Sequence, residues 1–115
     1  MPYLNTGRSG TAKLWTVGTE LPNGIEIGTG SGTKSVATSG LVTPVIFRAF
    51  SSTDTSTPRF VTFTSDYTSV ELSGLSIKEL GVKTSGGTLW SADGFPAITF
   101  NGSIEMQVVV TWELF

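Results

Sequence analysis

Apolar and polar residues alternate with period two along most of this chain, most clearly at its end. In "SIEMQVVVTWELF" (103–115), Ile104, Met106, Val108, Val110, Trp112 and Leu114 share one face of an extended strand, while Glu105, Gln107, Val109, Thr111, Glu113 and Phe115 share the other. Turn dipeptides divide the remainder. Asn23-Gly24 and Asn101-Gly102 predict two-residue hairpins, because both central residues must accept positive φ, and Gly86-Gly87 and Asp93-Gly94 mark two more. Between them the pattern predicts strands near 12–19, 24–29, 43–51, 58–66, 68–72, 75–83, 88–91, 95–100 and 103–114. No window sustains a helical period. Residues 51–58, "SSTDTSTP", read as an exposed loop, with Pro58 opening the next strand. The fold class that follows is all-β: a single antiparallel β-sandwich or jelly-roll-like domain over residues 12–115, preceded by an extended N-terminal arm over residues 1–11.

One strand breaks the alternation. In "LSIKELGVK", Leu75 and Ile77 have one parity, and Leu80 and Val82 have the other. A bulge at Lys78-Glu79 would return both pairs to the core; a strand crossing between sheets at that point is the alternative. Either can turn Glu79 inward, beside Lys78 or Arg48. Such a carboxylate is a functional acid or, more commonly, half of a structural ion pair.

The stretch "GTGSGTKS" (28–35) invites comparison with a phosphate-binding loop, G-x-x-x-x-G-K-[ST]. Thr33 stands where the glycine before the lysine belongs, and "VATSGLVTPV" follows where a helix should begin. Without that helix no row of free N–H groups faces an anion. The stretch therefore reads as a flexible small-residue connection between two strands, able to pack against a neighbour through its backbone.

Composition narrows the chemistry. The chain has neither cysteine nor histidine, so disulfides, thiolate or imidazole metal sites and histidine-based nucleophilic catalysis are excluded. Glu105 and Glu113 lie eight residues apart along one strand, roughly 25 Å, too far for a glycosidase pair. Asp54, Asp66 and Asp93 lack calcium-loop spacing. Neither a catalytic set, a metal site nor a cofactor site emerges, and a non-enzymatic protein is expected. A net charge of −2 gives no electrostatic reason to bind nucleic acid. No apolar run is long enough to span a membrane as a helix and the start lacks a secretion signal, so synthesis in a cytoplasm is expected.

Charged residues make up 14% of the chain, against about a quarter in ordinary domains, and 14 serines and 18 threonines supply the polarity. That suits a surface held against other protein. Tyr3, Leu4 and Arg8 of the arm, and Val109 and Phe115 on the outer face of the last strand, are the candidate partner contacts. Trp112 belongs to an apolar row and reads as core. Trp15 and Trp90 are the residues a sugar-stacking platform would use.

The order of elements resembles small β-rich structural proteins of tailed-bacteriophage virions: head decoration (cement) proteins, or parts of fibres and tails. The residues that carry the likeness are "NGIEIGTGSG" (23–32), "VIFRAF" (45–50), "GLSIKELGV" (74–82), "GGTLWSADGFPAITF" (86–100) and "VTWELF" (110–115). The match is tightest over roughly the last 45 residues, and residues 1–12 have no counterpart in it. The resemblance implies a virion protein without catalytic residues, made in a host bacterial cytoplasm. It also implies a major capsid protein or other virion proteins as partners, and assembly as a homo-oligomer such as a trimer. Capsid decoration is the first expectation; a neck, tail or fibre component is the second, and a carbohydrate-binding module the third.

Overall fold

The computed structural model describes residues 21–84 and 86–113. Among the described residues, seven strands and a single helical turn follow one another: β1 (Pro22–Gly28), β2 (Pro44–Ala49), β3 (Ser52–Asp54), β4 (Phe60–Tyr67), α1 (Ser69–Leu72), β5 (Ser76–Thr84), β6 (Leu89–Thr99) and β7 (Met106–Glu113). They build a four-stranded sheet in the order β2-β1-β5-β6 and a three-stranded sheet in the order β3-β4-β7. Every pairing is antiparallel. The all-β sandwich expected from the sequence is what these residues form.

Several local expectations are corrected. Asn23-Gly24 is no hairpin turn: it lies inside β1, where the Asn23 carbonyl accepts the Phe50 N–H at 2.8 Å. Asp93-Gly94 also lies within a strand, so the two short strands expected at 88–91 and 95–100 are one, β6. Gly86-Gly87 does turn β5 into β6, with Gly87 at φ 93°. Asn101-Gly102 turns the chain too, but from one sheet to the other. Residues 68–72 are not a strand. Thr68 accepts the Glu71 N–H while the Glu71 side chain accepts the Thr68 N–H, a capping box that closes one turn of helix. The 51–58 loop is exposed, yet contains β3, because the chain passes from one sheet to the other at Phe50 and Ser51. The predicted strand 12–19 and the arm lie outside the described residues.

The phase slip in β5 is real, though the extra residues sit on its partner. Ile77 faces Ile98 and Glu79 faces Gly94, so three residues of β6 (Phe95, Pro96 and Ala97) stand opposite Lys78 alone. Ile77 and Val82 are buried in the core, and the half-buried Leu80 packs against it.

That core lies between the sheets. Ile25, Ile27, Ile77 and Val82 from the larger sheet meet Tyr67, Val108 and Val110 from the smaller, with Leu72 and Phe100 at the margin. The Tyr67 hydroxyl crosses the gap to the Ile25 carbonyl at 2.5 Å, and burial pushes its pKa well up. Aromatic rings continue the core along one side. Phe50 stacks on Phe63 at 4.5 Å, Phe63 meets Trp112 edge-on at 4.9 Å, and Trp112 lies parallel to Trp90 at 6.3 Å. The terminal alternation holds from Met106 to Trp112, with Val108 and Val110 buried; Ile104 precedes β7 and is exposed.

Candidate functional site: a cradled carboxylate and two exposed strand surfaces

Register explains how a glutamate comes to be buried outside the core. Ile25 faces Val82 and Ile27 faces Leu80, and these four side chains point between the sheets. The alternate pairs, Glu26 with Gly81 and Gly28 with Glu79, therefore point to the outer face of the larger sheet. Glu79 is nevertheless fully buried, since the long connection from β1 to β2, residues 29–43, lies across that face.

The glycines of that connection allow its close approach. A Cβ on Gly28 would stand 2.5 Å from Glu79 Oε2, and one on Gly30 would stand 2.5 Å from Val42 Cβ and 2.8 Å from Glu79 Oε2. No real Cβ tolerates such distances, so the backbone reaches the carboxylate only where side chains are missing. Further along, the Gly32 carbonyl passes just above Gly94, and Leu41 joins Leu89 and Ala92 in a small second apolar cluster.

Four donors converge on the carboxylate. Oε1 accepts Lys34 Nζ at 2.7 Å and the Val42 N–H at 2.9 Å; Oε2 accepts the Thr43 N–H at 2.8 Å and the Gly30 N–H at 3.1 Å. The Lys34 side chain is itself 3% exposed. Burial by itself raises the Glu79 pKa, but the Lys34 hydrogen bond, the Thr43 and Val42 N–H groups and the Lys34 charge together outweigh it and hold the carboxyl below its ordinary range. An ionised carboxylate with two donors on each oxygen and no path to solvent is poorly suited to proton transfer. What the arrangement does is fasten a loop to a sheet.

Neither expected partner of Glu79 is the one found. The cation on Glu79 is Lys34, not Lys78, and Arg48 pairs with Glu71 of α1. Lys34, from the glycine-rich stretch, takes the role, so that stretch is no free connection but a strap held down at Gly30 and Lys34. Sequence offered two separate signals, the parity slip at Glu79 and a lone lysine in a run of small residues. Nothing in the sequence joined positions 34 and 79. Among the described residues, no group of three or more carboxylates could hold a metal ion.

Two strand surfaces present apolar side chains outward. On the smaller sheet Val109 is 55% exposed and stands opposite Thr64, amid Thr62 and Thr111, whose hydroxyls meet at 3.2 Å. On the larger sheet Val45 and Phe47 project from β2, and the Phe47 ring lies over Gly24. The sequence singled out Val109 but missed Val45 and Phe47, although "VIFRAF" shows the alternation. Tyr3, Leu4, Arg8 and Phe115 lie outside the described residues, as does Trp15. Trp90 is 4% exposed and stacked on Trp112, which leaves no open ring face of the kind a sugar platform needs.

No protein-family model matches the sequence, and comparison with curated proteins gives no match.

Proposed function

We propose that this chain is a non-enzymatic structural protein of a tailed-bacteriophage virion, a capsid decoration protein that reinforces the head by protein–protein contact. The observation that carries the reading is the outward display of Val45, Phe47 and Val109 from charge-poor strands, since such exposed apolar side chains suit contact with other subunits. The buried carboxylate, the residue that first suggests chemistry, is taken up by four structural donors. The segments that resemble virion proteins are also the ones that build β1, β2, β5, β6 and β7. Each copy would bury hydroxyl-rich and apolar surface against capsid subunits and its own symmetry mates, so that many contacts must break together.

Gold-labelled antibody against the protein, applied to intact virions and viewed by electron microscopy, tests the proposal. Label spread over the head is the expected outcome. Label confined to the neck, tail or fibres would replace decoration by that location, and absence of label on any virion would overturn the virion reading.

A further inference from the structure

Two Asn-Gly dipeptides occur in the chain, and the fold treats them in opposite ways. An asparagine before glycine is chemically labile: the next backbone nitrogen can attack the side-chain amide carbon, and glycine has no side chain to shield that nitrogen. Reaction depends on the local backbone. The ring closes only when the next nitrogen rotates until it eclipses Cβ. The attacking N–H must also be free, and the departing amide must not be held.

Asn23-Gly24 fails the first condition. Both residues lie inside β1, with Gly24 opposite Ala49 of β2 on one side and Lys83 of β5 on the other. The Asn23 carbonyl accepts the Phe50 N–H at 2.8 Å, and Gly24 is buried beneath the Phe47 ring. Extended backbone holds the next nitrogen away from Cβ, and rotating it would break the pairing on both sides.

Asn101-Gly102 meets all three. It belongs to the turn between β6 and β7, outside either ladder, and Asn101 is exposed. Among the described residues, neither the Gly102 N–H nor the Asn101 side-chain amide donates a hydrogen bond. The Asn101 side-chain oxygen, by contrast, accepts the Ser103 N–H at 3.1 Å and the Ser103 hydroxyl at 2.6 Å. These bonds curl the side chain forward over the Gly102 peptide and polarise the carbon that would be attacked. Gly102 stands at φ 94°, and a Cβ there would meet Ser73 Oγ at 2.9 Å, so the turn requires its glycine.

We propose that Asn101 is a self-modification site, at which the side-chain amide is lost as ammonia and aspartate or isoaspartate is left. The Gly102 nitrogen gives up its proton and bonds to Asn101 Cγ; the Cγ–Nδ2 bond breaks, and the amide leaves as ammonia with that proton. Water then opens the five-membered imide. Addition at Cγ gives aspartate, and addition at the Asn101 backbone carbonyl gives isoaspartate. Each event adds a negative charge to a chain of net charge −2. Aspartate keeps an oxygen for both Ser103 donors, whereas isoaspartate lengthens the backbone where it passes between the sheets. The inference needs no capsid and stands or falls apart from the virion reading.

Incubation of the full chain at mildly alkaline pH, followed by peptide mass spectrometry and an isoaspartate assay, tests it. The Asn101 peptide should convert about tenfold or more faster than the Asn23 peptide. The aspartate product should co-migrate on ion exchange with Asn101→Asp. In guanidinium chloride the two dipeptides should convert at comparable rates, since the fold alone separates them. An Asn101 that keeps its amide, or that converts no faster than Asn23 in the folded chain, overturns the inference. A difference that persists unchanged in the denaturant also overturns it, because the fold would not then be its cause.

Discussion

The two outer faces of the sandwich solve one problem in opposite ways. The smaller sheet presents Thr62, Thr64, Thr111 and Val109 to solvent, and its polar pairs are open ones: the Thr62–Thr111 hydroxyls, Gln107 donating to Asp66, and Arg59 beside Glu113 at 3.3 Å. The larger sheet instead carries a loop across its outer face, pinned by a carboxylate and a lysine that are both out of solvent. On the first face, water can take the place of any side chain that is removed. On the second it cannot, so removing one partner leaves a buried charge or donor unsatisfied. Similar side-chain chemistry should therefore differ severalfold in energetic consequence between the two.

The largest effect should come from Glu79→Ala. It strands the Lys34 charge and three N–H groups beneath the strap, and breaking a buried ion pair from one side costs about 3–5 kcal/mol. Lys34→Met leaves the carboxylate with its three backbone donors and should cost less, about 1–3 kcal/mol. Urea unfolding of both variants checks the order. If the alanine variant were destabilised no more than a surface substitution, the contrast between the faces would be mistaken. Hydrogen exchange adds a local readout, since in either variant the Gly30, Val42 and Thr43 amides should exchange faster than those of the core strands.

Acid should have a smaller effect of the same origin. The folded-state pKa of Glu79 is depressed, so its contribution is complete above the unfolded value of about 4.3 and is lost as pH falls through the folded one. Stability should decline on acidification below that point, and Glu79→Gln should flatten the decline. Asp54, fully exposed and held down first by the Ser56 side-chain hydrogen bond and then by the Ser56 N–H, acts in the same pH window. The difference between wild type and the glutamine variant therefore isolates Glu79. Curves that remain parallel from neutral to acid pH would mean that the strap is not fastened by charge.

How much of this was legible in the sequence follows from how local each cause is. The β7 alternation and the β5 slip are written in neighbouring residues, so those two strands, the sandwich class and a break in parity at Glu79 could be read directly. Glu79 was expected to turn inward, however, and lies on the outer face beneath the strap. The Thr68–Glu71 capping box is equally local, but a single turn of helix has no period to reveal it. Asn23-Gly24 and Asp93-Gly94 carried a strong turn signal that tertiary pairing overrode: Gly24 is kept small by the Phe47 ring, and Gly94 by the passing Gly32 carbonyl. The Lys34–Glu79 pair spans 45 positions and depends on three glycines letting a loop lie flat. A strand pattern records which face a residue takes, and does not record what will be laid over that face.

The smallest predicted effect completes the contrast between the faces. Thr62 and Thr111 face each other across β4 and β7 with their hydroxyls 3.2 Å apart, both in contact with water. Thr111→Val keeps the β-branched shape that suits the strand and removes one hydroxyl, while water can bond the other. The destabilisation should be about 0.5 kcal/mol or less, and a double-mutant cycle with Thr62→Val should give a coupling within about 0.2–1 kcal/mol. A coupling as large as the cost of Glu79→Ala would place this face in a dry environment, with a partner resting on it. The cycle repeated at high and low protein concentration would then separate the two cases, because only a self-associated face should make the coupling depend on concentration.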